Sequence, residues 1–99
     1  MMTINEVRNG DSLTLELTGK LDTTTAPDLE NIINTKLDGI TDLVLDMKDL
    51  TYVSSAGLRV LLLIQKKMND TGTFVLKNVC DEVFSVLEIT GFTSIIEIA

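Results

Sequence analysis

Asp42-Leu43-Val44-Leu45-Asp46-Met47-Lys48-Asp49-Leu50-Thr51-Tyr52-Val53-Ser54-Ser55-Ala56-Gly57-Leu58 is the stretch on which the fold turns. Its apolar run Leu43-Val44-Leu45, short and bounded by Asp42 and Asp46, reads as an interior strand buried on both faces, at the centre of a sheet. Ser54-Ser55-Ala56-Gly57 then introduces Leu58 through Ile64, in which only Arg59 is charged, and the pattern runs on to Gln65-Lys66-Lys67-Met68. That is a helix buried at its start and solvated at its end, where the two lysines complement the C-terminal dipole. Leu58 through Ile64 is expected in the core, and so are Met47 and Met68.

Upstream, Leu13, Leu15 and Leu17 alternate with Thr14, Glu16 and Thr18, the period of a strand with one buried face. Asn9-Gly10 is a hairpin signal that pairs it antiparallel with Thr3 to Arg8. From about Ala26 to Asp38 the spacing of Leu29, Ile32, Ile33 and Leu37 is helical, Pro27 suits the first turn, and Thr25 with Asp28 resembles a capping box. Downstream, Asn69-Asp70-Thr71-Gly72 closes the buried helix. Thr73 to Lys77 reads as a strand, Asp81 to Ile89 as a short helix stopped by Gly91, and Ser94 to Ile98 as a last strand. The order β-β-α-β-α-β-α-β over residues 1–99 makes one α/β domain, with a mixed, mostly parallel sheet and an N-terminal antiparallel hairpin.

Composition narrows the function. The chain has 99 residues, 44% hydrophobic and 23% charged, enough for one packed core. Fifteen acidic against eight basic residues give a net charge of −7, which repels phosphate backbones and anionic headgroups, so neither direct nucleic-acid binding nor a membrane surface is expected. There is no histidine, and Cys80, read as a small buried hydrophobe, is the one cysteine; triad chemistry, a zinc site and an internal disulfide are thereby excluded. No signal-like or membrane-length apolar run is present, and the expected location is cytoplasmic. Neither a G-x-G-x-x-G nor a P-loop pattern occurs, which weighs against a nucleotide-binding enzyme; no cofactor is expected.

In open α/β sheets function gathers at the carboxyl ends of the strands. Two loops are placed there, Gly19-Lys20-Leu21-Asp22-Thr23-Thr24-Thr25 and Asp49 to Gly57. Serines such as Ser54 and Ser55 before a helix serve as caps without any modification, each stabilising by typically about 1 kcal/mol. Asp22 and Thr23 to Thr25 are read equally well as turn chemistry.

Leu17-Thr18-Gly19-Lys20-Leu21-Asp22, then Asp49-Leu50-Thr51-Tyr52-Val53-Ser54-Ser55-Ala56-Gly57-Leu58, and finally Gly91-Phe92-Thr93-Ser94-Ile95-Ile96 together resemble the STAS domain of bacterial anti-sigma factor antagonists, over about Ile4 to Ile98. The resemblance implies a STAS-like fold and a partner-switching role without enzymatic activity. The unphosphorylated protein would bind an anti-sigma factor that is also a serine kinase and free the sigma factor; phosphorylation would end the association, and a serine phosphatase would restore it. Aligned on Gly57, the phosphorylated serine of the family falls on Ser55. Ser54 stands where the family often has aspartate and Ala56 where it has a second serine, so Ser54 remains the alternative. Asp22 matches the acidic residue of the neighbouring loop. The partner-binding surface so implied comprises Asp22, Thr23, Ser54, Ser55, Ala56, Gly57 and Arg59, the last one helical turn beyond Ser55. A phosphate on Ser55 would face the free N–H groups of a helix N-terminus and add roughly −1.5 to −2 charges, repelling an acidic or closely packed partner. The alternative within the same fold is a STAS subunit of a larger signalling or lipid-transport assembly.

Overall fold

The computed structural model describes residues 2–99 and has the expected order of elements. Strand β1 (Met2–Asn9) pairs antiparallel with β2 (Ser12–Leu21), from Met2 opposite Gly19 to Asn9 opposite Ser12. Gly10 and Asp11 therefore form the two-residue turn, one position later than the Asn9-Gly10 reading, and Gly10 takes the positive φ of 65° that such a turn requires. Helix α1 (Ala26–Lys36), β3 (Asp42–Val53), α2 (Ser55–Asn69), β4 (Thr73–Lys77) and α3 (Asp81–Ile89) follow, then a 3₁₀ turn at Phe92–Ser94 and a short β5 (Glu97–Ile98). The last strand is thus two residues long, because Gly91, at φ 82°, redirects the chain into a 3₁₀ turn across the residues first read as its beginning.

The sheet runs β1-β2-β3-β4-β5, antiparallel at β1 and parallel elsewhere. Each parallel strand lies beside its predecessor, so successive right-handed crossovers all place their helices on the same face. Leu13, Leu15 and Leu17 of β2, Leu43, Leu45 and Met47 of β3, and Phe74 and Leu76 of β4 form one buried cluster with Leu29 and Ile33 of α1, Leu61 and Ile64 of α2, and Val83 and Leu87 of α3. The central strand is consequently not buried on both faces: Leu43 and Leu45 are fully enclosed, but Val44 between them is only half-buried. Leu58, Leu62 and Leu63 of α2 are likewise half-buried and not core throughout, since they flank the buried stripe of Val60, Leu61 and Ile64. Met47 and Met68 are enclosed as expected. Cys80 is half-buried at the N-cap of α3, its thiol 3.4 Å from the carbonyl oxygen of Leu50.

Strand β3 is longer than the sequence suggested. Two register shifts against β2, between Glu16 and Thr18 and between Gly19 and Lys20, put extra residues into β3. Its buried positions therefore change from alternate residues to every third, Met47, Leu50 and Val53, and the stretch from Asp49 first read as loop is strand as far as Val53. This extension carries the start of α2 to the same level as the end of β2, where Leu21 pairs with Val53.

Candidate functional site

The two loops read as candidates are joined at the carboxyl ends of β2 and β3. The Ser54 N–H donates to the Leu21 carbonyl at 2.9 Å, which fixes the chain as it leaves β3. Ser54 is the N-cap of α2, with extended backbone (φ −90°, ψ 176°) and its Oγ accepting from the Gly57 N–H at 3.3 Å. Gly57 is buried against β2, and a Cβ there would lie 2.8 Å from Leu21 Cγ and 2.9 Å from the Leu21 carbonyl oxygen. The helix can start only where it does because this position has no side chain.

Ser55 opens the first turn of α2 and is exposed; among the described residues no hydrogen bond engages its hydroxyl. The first turn of α2 holds no acidic residue, whereas α1 has Asp28 there and α3 has Asp81 and Glu82. The positive end of the α2 dipole is thus left without a built-in anion. Ala56 is half-buried, while Arg59, four residues beyond Ser55 on the same helix, is exposed.

The other loop is organised by Asp22. Its Oδ1 accepts from the Thr24 hydroxyl at 2.8 Å, the Thr24 N–H at 3.0 Å and the Thr25 N–H at 3.1 Å, while its own N–H donates to Thr25 Oγ1 at 2.8 Å. The exchange between Asp22 and Thr25 is a capping box three residues upstream of the one expected at Thr25 and Asp28. Thr25 makes no cap for α1, because its hydroxyl turns back to the Lys20 carbonyl at 2.7 Å, and among the described residues it is the one buried polar residue. The Thr24 hydroxyl holds the Asp22 carboxyl below its ordinary value; partial burial opposes this, and the Thr25 and Thr24 N–H groups and the Thr25 hydroxyl add to it. Asp22 is thus a charged group at neutral pH with one oxygen committed to the turn. Thr23 stands exposed at the tip.

Leu21 brings Asp22 and the Ser54 to Gly57 segment together, while Asp49 does not join them. Asp49 lies on the far face of the sheet, in a shallow concavity shared with Glu16, Thr18 and Asp46. Leu21 is the structural residue of the site that sequence reasoning passed over, whereas Thr25, read there as turn or cap chemistry, serves the Asp22 turn and not a cap with Asp28. A glycine at the third position of a buried helix, which demands a close neighbour, was the available signal for Leu21.

A family model for the STAS domain matches residues 3–99, and the chain belongs to the STAS domain family. An anti-sigma factor antagonist named BtrV, from Bordetella bronchiseptica, is 40% identical over 85 residues, covering 84% of this chain and 73% of that one. Among solved structures, an anti-sigma factor antagonist from Mycobacterium paratuberculosis superposes with a TM-score of 0.87 at 23% identity, over 99% of this chain and 85% of the other. The phosphorylated form of the Bacillus cell fate determinant SpoIIAA superposes with a TM-score of 0.77 at 17% identity, over 98% and 91%. Both superpositions extend the shared fold over essentially the whole chain.

Proposed function

We propose that this protein is an anti-sigma factor antagonist that acts by partner switching. With Ser55 unmodified, it binds an anti-sigma factor that is also a serine kinase and so frees the sigma factor. Phosphorylation of Ser55 by that kinase ends the association, and a serine phosphatase reverses it. The protein itself catalyses nothing and works in the cytoplasm.

The observation that carries this reading is the division of labour between the two serines. Ser54 spends its hydroxyl on the Gly57 N–H, whereas Ser55 presents a free, exposed hydroxyl beside a helix terminus that has no acidic residue. A phosphate on Ser55 meets free N–H groups of the first turn, so the fold tolerates it. Its charge adds to that of Asp22 on the adjoining loop, so a partner fitted closely to this surface meets repulsion and steric bulk together. The 40% identical relative named as an antagonist supports the functional class, and SpoIIAA is a protein of this fold with a phosphorylated form.

The test is incubation of the protein with its cognate kinase and ATP, followed by peptide mass mapping. Single phosphate incorporation at Ser55 is expected, abolished in Ser55→Ala and retained in Ser54→Ala. Incorporation confined to Ser54, or none at all, contradicts the assignment.

A further inference from the structure

The crossovers that gather every helix on one face leave the other face of a largely parallel sheet uncovered. Val7, Thr14, Val44 and Val75 are paired in register across β1 to β4 and stand in one row on that face. Val7 is 48% exposed and the other three are half-buried. Parallel strands are ordinarily covered on both faces, and the two central valines are the residues that such a cover would enclose. The flanks of this row are net acidic. Glu16, Asp46 and Lys77 stand in the row on one side, with Lys48 and Asp49 lining the concavity beside them, Asp42 stands in the row on the other, and Glu97 lies beside Val75.

This charge pattern bears on the occupant. A twofold axis along the row brings Asp46 over Asp42, and one along the strands brings Asp46 over Glu16 when it lies between β2 and β3 but over Lys77 when it lies between β3 and β4, so charge alone does not exclude a second copy and the titration below separates the two. A basic segment is favoured because the carboxylates of these flanks outnumber their cations. Strands are spaced about 4.8 Å apart and a helical turn rises about 5.4 Å, so a helix lying across the strands offers one apolar residue per strand over about three turns. We propose that the open face of the sheet, centred on Val44 and Val75, is a docking surface for a basic amphipathic helix of a partner protein. It lies on the face turned away from α2, and it stands or falls independently of phosphorylation at Ser55.

The test is a titration of the ¹⁵N-labelled protein, followed by NMR, with a synthetic three-turn helix bearing leucines on one face and lysines on its flanks. A second peptide carries glutamates in place of the lysines. Saturable binding of the lysine peptide is expected, with shifts concentrated at Val7, Thr14, Val44 and Val75, and no saturation by the glutamate peptide. The Val44→Thr, Val75→Thr double variant keeps every charge and should bind at least fivefold more weakly; if it does not fold, Val7→Thr on the exposed edge takes its place, with at least a twofold loss. Absence of saturation, shifts scattered over the acidic surface, or an affinity unchanged in the variant overturns the proposal. So do shifts of the same row with protein concentration alone, which would make the occupant a second copy.

Discussion

At the scale of single residues, Ser54, Ser55 and Gly57 do different work within four positions. Ser54→Ala removes a side-chain cap and should cost about 1 kcal/mol of stability in urea unfolding while leaving phosphorylation intact. Gly57→Ala gains helix propensity of about 1 kcal/mol, but it drives a Cβ into Leu21, including its backbone carbonyl. The clash should prevail, lowering the unfolding midpoint; a stabilised Gly57→Ala protein would show that α2 is not seated on Leu21. Thr25→Val removes the partner of the Lys20 carbonyl and the Asp22 N–H in a part-buried setting, at a cost of about 1 kcal/mol.

Asp22 gives a prediction with a sign. Its carboxyl titrates lower in the folded protein than in the unfolded chain, so the stability it contributes is complete above the unfolded pKa of about 3.9 and is lost as pH falls through the folded value. Thr24→Val removes the leading hydrogen bond and should move the Asp22 midpoint upward in a ¹³C NMR titration. An unmoved midpoint would show that the Thr24 hydroxyl does not hold the charge.

At the scale of elements, most of the architecture was legible because hydrophobic period is read locally. β4 and α3 fall on the residues expected of them, β1 and α1 differ by a residue or two at their ends, and β2 runs three residues past Thr18, through Gly19, Lys20 and Leu21, which were read as loop. β3 was legible only in part. Its two bulges replace alternation by a three-residue repeat, and a reading based on period two mistakes Leu50 and Val53 for loop residues. Leu50 is fully buried, so Leu50→Ala should cost about 2 to 5 kcal/mol in denaturant unfolding. A loss below about 1 kcal/mol, as for an exposed loop, would contradict the extended strand. The capping box was misplaced for a related reason. Thr25 followed three residues later by Asp28 has the right spacing, but spacing alone does not say that the Thr25 hydroxyl is already taken by Lys20 and Asp22.

At the scale of the whole molecule, sequential strand order puts all helices on one side, and this could not be read from Leu43-Val44-Leu45. An apolar run signals a strand with apolar side chains on both faces, without saying whether the same chain covers both. The candidate site was legible to the extent that two loops at strand ends were singled out. Their union through Leu21 depended on the register of β2 against β3, which a linear sequence does not display. On the proposed function the domain is a rigid carrier on which a phosphate changes surface charge and shape. Phosphorylated protein should therefore keep its NMR spectrum except around Asp22 to Thr25 and the first turns of α2.

The central claim is that phosphate on Ser55 decides partner binding. Calorimetric titration of the cognate anti-sigma kinase with unmodified and Ser55-phosphorylated protein, side by side, measures it most directly. A tight complex with the unmodified form and an affinity at least a hundredfold weaker with the phosphorylated one is the predicted result; equal affinities for the two forms would contradict it.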